Sequence, residues 1–203
     1  MLAIDASGSV STDRLTLQIN GYARALETEA FIRTVRSGLR GRVAVTFVAW
    51  TDWDRQQQMV PWAIIEDEVT ADAFVQDLLL AERPFPGFTS ISGAIDYSAG
   101  LIRSSGYRAL RQVIDISGDG ANNDGRPVTN ARDEALAAGI TINGLPIIEV
   151  EPGLDEYYRN NVIGGVDAFT VVAQDLTSFA DAVMRKLLIE VASVPRSGGG
   201  ATF

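Results

Sequence analysis

Asp5-Ala6-Ser7-Gly8-Ser9 carries three oxygen-bearing side chains at alternate positions, with Gly8 easing a turn between the serines. Such spacing lets one carboxylate and two hydroxyls converge, and oxygen donors of this kind suit a hard divalent cation. Composition alone would produce a D-x-S-x-S string in roughly one chain of this size in twenty, so its position must decide its meaning. It leaves an apolar run, Leu2-Ala3-Ile4, and precedes a segment of helical periodicity. Two readings stay open on these residues alone: an ion-binding loop, or serines 7, 9 and 11 making turns and capping the next helix.

Two further segments offer the same chemistry. Gln112-Val113-Ile114-Asp115-Ile116-Ser117 reads as a strand that runs into Gly118-Asp119-Gly120-Ala121-Asn122-Asn123, and Gly87-Phe88-Thr89-Ser90-Ile91-Ser92-Gly93 reads as a loop opening a helix. The chain has no histidine and no cysteine. Imidazole bases, thiolate nucleophiles and nitrogen- or sulfur-ligated metals are therefore excluded, and any ion must sit among oxygens. A net charge of -9 argues against nucleic acid as partner, because phosphate backbones are bound mainly through basic side chains.

The elements that must position these residues alternate along the chain. Strands are expected at about Leu2–Asp5, Arg42–Trp50, Gln57–Ile65, Gln112–Ser117, Thr141–Pro146 and Ala168–Ala173. Helices are expected at about Thr12–Leu26, Glu29–Gly38, Ala71–Ala81, Ile91–Ser104, Val128–Ala138, Asp155–Asn160 and Thr177–Ala192. Strand–helix alternation predicts a doubly wound α/β fold: a mainly parallel six-stranded sheet with helices on both faces. Only six residues, Thr51 to Gln56, separate the second strand from the third, too few for a crossover, so these two form a hairpin with the third strand antiparallel at an edge. Pro61 agrees with an edge position. A length of 203 residues suits one domain, expected over residues 1–194, with a flexible glycine-rich tail over 195–203.

Taken together, the three oxygen-bearing segments resemble the metal-ion-dependent adhesion site of von Willebrand factor A domains, in their order as well as their composition. The wording of Phe88–Ala94, Ser117–Gly120, Gly125–Val128 and Gly139–Pro146 is similar to one bacterial group of von Willebrand A-like proteins, the domain of unknown function DUF1194. The resemblance implies that Ser7, Ser9 and Thr89 ligate a cation directly, with Asp5 and Asp119 holding it directly or through water. Magnesium is the implied ion, with calcium or manganese as substitutes. It further implies a protein-binding, non-enzymatic domain whose partner completes the shell with an Asp or Glu carboxylate. Asp115, Ser117 and Asn122 are expected behind the ligands or facing the partner, and Phe88 is expected to narrow access or offer an apolar contact. Phe88 stands where the family often has glycine, and Gly118 where it often has threonine. Members of the group often resemble exported proteins, which implies a periplasmic or extracellular location if a signal peptide precedes this sequence, and a cytoplasmic one otherwise.

An enzyme reading competes. The acidic loop Gly118–Asp124 also resembles that of haloacid-dehalogenase phosphatases, in which Asp5 would be the nucleophile. Ser7 then stands where a second aspartate is required, and Lys186, the only lysine, lies far from the loop that would need it. A scaffold that keeps the fold without an ion is the third reading. The remaining conspicuous residues take plain readings: Asp115 as a hydrogen-bonded or paired carboxylate inside a strand, Trp50, Trp53 and Trp62 as packing groups, Asp52 and Asp54 as solvated turn residues, Tyr157 and Tyr158 as surface or packing residues.

Overall fold

A computed structural model describes residues 1–82 and 86–192. The alternation in the sequence becomes β1 (Leu2–Asp5), α1 (Thr12–Leu26), α2 (Glu29–Ser37), β2 (Val43–Trp50), β3 (Gln56–Ile65), α3 (Glu68–Leu80), α4 (Ile91–Ser104), β4 (Gln112–Gly118), α5 (Val128–Ala137), β5 (Ile140–Pro146), α6 (Leu154–Tyr157) and α7 (Phe179–Ala192). A π-helical turn, Tyr158–Val162, extends α6. The strands line up in the order β3-β2-β1-β4-β5, with all neighbours parallel except the β2–β3 hairpin.

Side chains on opposite sides of the pleat feed two cores. Leu2, Ile4, Phe47 and Leu145 pack with Leu15, Phe31, Phe74 and Phe179 of α1, α2, α3 and α7. Ala3, Val48, Ile114, Ile116 and Ile142 pack with Ile91, Ile95, Val128 and Ala131 of α4 and α5, and with Tyr158. Local chemistry sets the helix starts. Ser11 caps α1 by accepting from the Arg14 N–H, Thr28 caps α2, and Asp67 with Thr70 forms a capping box that begins α3 at Glu68, three residues earlier than periodicity predicts. Ser11 therefore fulfils the capping alternative, which leaves Ser7 and Ser9 for other work.

The expected sixth strand is absent among the described residues, and the sheet has five. Residues 169–173 do run parallel to β5, with bridges at Thr170 and Ala173. Gly144 N–H donates to the Phe169 carbonyl, Val171 N–H to Gly144, Ala173 N–H to Pro146, and Ile148 N–H to Ala173. The donor that would join the two bridges belongs to Pro146, which has no N–H, so the ladder stays broken in the middle. The expected tail, 195–203, lies outside the described residues.

Candidate metal centre

β1 and β4 are adjacent and parallel, and the chain winds outward in opposite directions from them. Their carboxyl ends thus open the crevice where an open α/β sheet takes its ligands. The Asp5–Ser9 loop leaves one strand there and Asp119 leaves the other. The third segment is pulled in by the hairpin and by the first loop: Ser90 N–H donates to the Thr51 carbonyl and Phe88 N–H to Asp52 Oδ1 at 2.5 Å, while Gly8 N–H donates to the Gly87 carbonyl at 2.7 Å.

All five residues named as cation-holding come together. Ser7 N–H donates to Asp5 Oδ1 at 2.7 Å, the Ser7 and Ser9 hydroxyl oxygens lie 3.1 Å apart, the Thr89 hydroxyl donates to Ser7 Oγ at 3.3 Å, and Ser9 donates to Asp119 Oδ1 at 2.7 Å. Asp5, Ser7, Thr89 and Asp119 are buried and Ser9 is exposed, so the cluster reaches solvent on the side of Ser9. The second oxygens of both carboxylates, Asp5 Oδ2 and Asp119 Oδ2, are buried and accept no hydrogen bond. Burial pushes the Asp5 carboxyl up to about 7, against the lowering effect of the Ser7 hydroxyl and with a further push from the Asp119 charge. The Arg14 guanidinium stands 3.7 Å from Asp119 Oδ2 and 3.1 Å from Glu149 Oε2, a partial counter-charge at the rim.

These residues fit a divalent cation. Two buried carboxylate oxygens accept no hydrogen bond beside three hydroxyls, with Arg14 at 3.7 Å from one of them as a partial counter-charge, and a cation there answers the cost that remains. Among the described residues no three Asp, Glu, His or Cys side chains cluster as a metal site. Ion binding in this crevice must therefore use hydroxyls alongside its two carboxylates, which disfavours ions that demand nitrogen or sulfur.

The residues expected behind the ligands or facing a partner take different places. Asn122 Oδ1 accepts the Ser92 N–H, and its amide donates to the Asp124 and Arg126 carbonyls, so it ties the β4–α5 loop to the start of α4. Ser117 receives the Tyr22 hydroxyl on the α1 side of the sheet. Asp115 sits opposite Leu2 in the β1–β4 register, three residues and about 10 Å below Asp5, in a buried ion pair with Lys186. That pairing also occupies the lysine a phosphatase would need. Phe88 is 67% exposed beside Thr89, and Trp53 of the hairpin turn is 62% exposed.

Several residues at the site escape a sequence reading. Asn123 clamps Thr89 from both sides, accepting its N–H at 2.9 Å and donating its own N–H to the Thr89 carbonyl at 2.9 Å. Asp52, read as solvated, holds the Phe88 loop, and Asp124 accepts the Trp53 N–H at 2.8 Å. Glu151 accepts from Ala121 N–H, and the Tyr157 hydroxyl accepts from Asn122 N–H. The only signal in the sequence is an Asx-rich run after a strand; nothing in it tells which backbone groups it reaches.

A family profile described as "Protein of unknown function (DUF1194)" matches residues 1–195. The chain belongs to this family. A search of curated proteins returns no match. Among solved structures, a von Willebrand factor type A protein from Catenulispora acidiphila is 16% identical with a TM-score of 0.68, over 94% of this chain and 42% of that one. Proximal thread matrix protein 1 from the mussel byssus, with a zinc-occupied adhesion-site motif, is 13% identical with a TM-score of 0.63, over 94% and 47%. Manganese-loaded TRAP protein of Plasmodium vivax is 15% identical with a TM-score of 0.57, over 92% and 71%. The DUF1194 chain thus has a von Willebrand A fold and spans less than half the length of the first two of these proteins. Among its described residues no helix is long and apolar enough to cross a membrane.

Proposed function

We propose that this DUF1194 domain is a cation-dependent protein-binding module. Asp5, Ser7, Ser9, Thr89 and Asp119 hold one divalent ion, Mg²⁺ foremost with Ca²⁺ or Mn²⁺ as substitutes, and a partner protein docks an Asp or Glu carboxylate on the open side. The observation that carries the reading is a pair of buried oxygens on Asp5 and Asp119 that accept no hydrogen bond, gathered with the Ser7, Ser9 and Thr89 hydroxyls from three separate stretches of chain. Bound there, the ion supplies a positive centre for an anionic side chain; the chain's own groups set its position and leave it accessible. Exposed Phe88 and Trp53 flank the loops and suit an apolar neighbour of the docking carboxylate. The similarity to structures solved with zinc or manganese supports a divalent ion at this place in the fold.

Binding rather than catalysis is favoured because the three hydroxyls have no histidine to activate them and Lys186 is engaged with Asp115. An exported location goes with this reading. Calorimetric titration with Mg²⁺, followed by a pull-down from the native organism in Mg²⁺ and in chelator, tests it. Heat of binding in the wild type and none in Asp119→Ala is expected, with partners retained only in Mg²⁺. A wild-type chain indifferent to Mg²⁺, Mn²⁺ and Ca²⁺ defeats the proposal, as does Mg²⁺-dependent hydrolysis of a generic phosphate ester that vanishes in Asp5→Ala.

A further inference from the structure

Two unpartnered buried oxygens crowd the same face of Gly118. A Cβ on that residue would lie 2.9 Å from Asp5 Oδ2 and 3.0 Å from the Tyr158 hydroxyl, and neither oxygen has a hydrogen-bond partner. Tyr158 is wholly buried in the core beneath α4 and α5, at the residue where α6 gives way to the π-helical turn. Such turns displace side chains from regular helical positions and recur at functional sites. A buried phenol normally finds a partner, so an unpartnered hydroxyl beside an unpartnered carboxylate oxygen calls for a reason.

We propose that Tyr158 is a positioning residue for Asp5: its hydroxyl, on the same side of Gly118, donates toward Asp5 Oδ2 when the site holds a cation, and it fills the room that a side chain at position 118 would need. The inference rests on the cation-binding reading and adds to it a residue that touches no ion itself. A tyrosine hydroxyl is an O–H donor at neutral pH, and this one is buried where no other partner reaches it. A donor behind a ligating carboxylate fixes its orientation, and removing such a partner typically weakens metal binding about 10–100-fold.

The test compares Tyr158→Phe with wild type for Mg²⁺ affinity by calorimetry and for melting temperature in chelator. Tyr22→Phe is the control, a second buried phenol whose hydroxyl points to Ser117 instead. The expected result is a Kd raised about 10–100-fold in Tyr158→Phe alone, with melting in chelator unchanged or higher because an unpartnered hydroxyl has gone. An unchanged Kd in Tyr158→Phe overturns the proposal and leaves the cation site standing; a wild type that binds no cation overturns both. Should the variant not fold, wild-type protein carrying 3-fluorotyrosine decides the matter. Its five tyrosines give five fluorine resonances, assigned by elimination through the other four Phe variants. Mg²⁺ should move that of Tyr158, and a resonance that stays still overturns the role.

Discussion

Asp5 and Asp119 confront each other in a crevice that water barely reaches, and each keeps one oxygen without a hydrogen-bond partner. A fold tolerates that cost when a ligand repays it. Asp5→Ala and Asp119→Ala are therefore expected to remain folded in chelator while losing the Mg²⁺-dependent rise in melting temperature. In the wild type, saturation at about a hundredfold over Kd contributes about 2.7 kcal/mol, a rise on the order of 5–10 °C by differential scanning fluorimetry. Asn123 acts through Thr89, whose backbone it holds at both N–H and carbonyl. Asn123→Ala removes the side-chain acceptor of the Thr89 N–H but keeps its own backbone N–H, and is expected to cost about 1–2 kcal/mol in urea denaturation and to weaken Mg²⁺ binding, because the Thr89 hydroxyl is held less firmly.

Among the elements, the loop before α4 depends on how closely the hairpin turn approaches it. A Cβ at Gly87 would fall 2.4 Å from Asp52 Oδ1, the atom that accepts the Phe88 N–H. Gly87→Ala should force that carboxylate away, loosen the loop and lower cation affinity, with calorimetry as the readout. On the opposite face, α7 is fastened to β4 by Lys186, which meets Asp115 and lies 3.4 Å from Glu190. Lys186→Met leaves a buried carboxylate without its cation, an expected loss of about 3–5 kcal/mol at neutral pH. Burial already raises the Asp115 carboxyl to about 6, the Lys186 ammonium opposing this and Glu190 adding to it. A raised carboxyl favours the fold below the unfolded value and withdraws that support as pH climbs through the folded one. Without the lysine the folded value climbs further, so the Lys186→Met deficit should be smaller at pH 5 than at pH 8 in urea titrations.

At the level of the whole molecule, a net charge of -9 surrounds a crevice proposed to capture a carboxylate. Without an ion the domain repels acidic groups; with one, attraction is confined to a single point, which places specificity in geometry rather than in a broad field. Duplex DNA at physiological salt should show no binding by fluorescence anisotropy.

Periodicity and turn length determined a great deal unaided: the alternation of strands and helices, the antiparallel hairpin and the edge position of Pro61 follow from patterns spanning only a few residues. Position at the carboxyl ends of parallel strands singled out the Asp5 and Asp119 loops, while the inclusion of Ser7, Ser9 and Thr89 as one set came from the resemblance to the adhesion site. Tertiary structure alone decided the rest. Whether residues 169–173 complete a strand turned on Pro146 lacking an N–H opposite them, and whether Asp115 served the crevice turned on Lys186, 71 positions away, reaching it from α7. The roles of Asp52, Asn123 and Tyr158 depend on backbone and side-chain atoms far off in the chain, and local pattern holds no record of such distances.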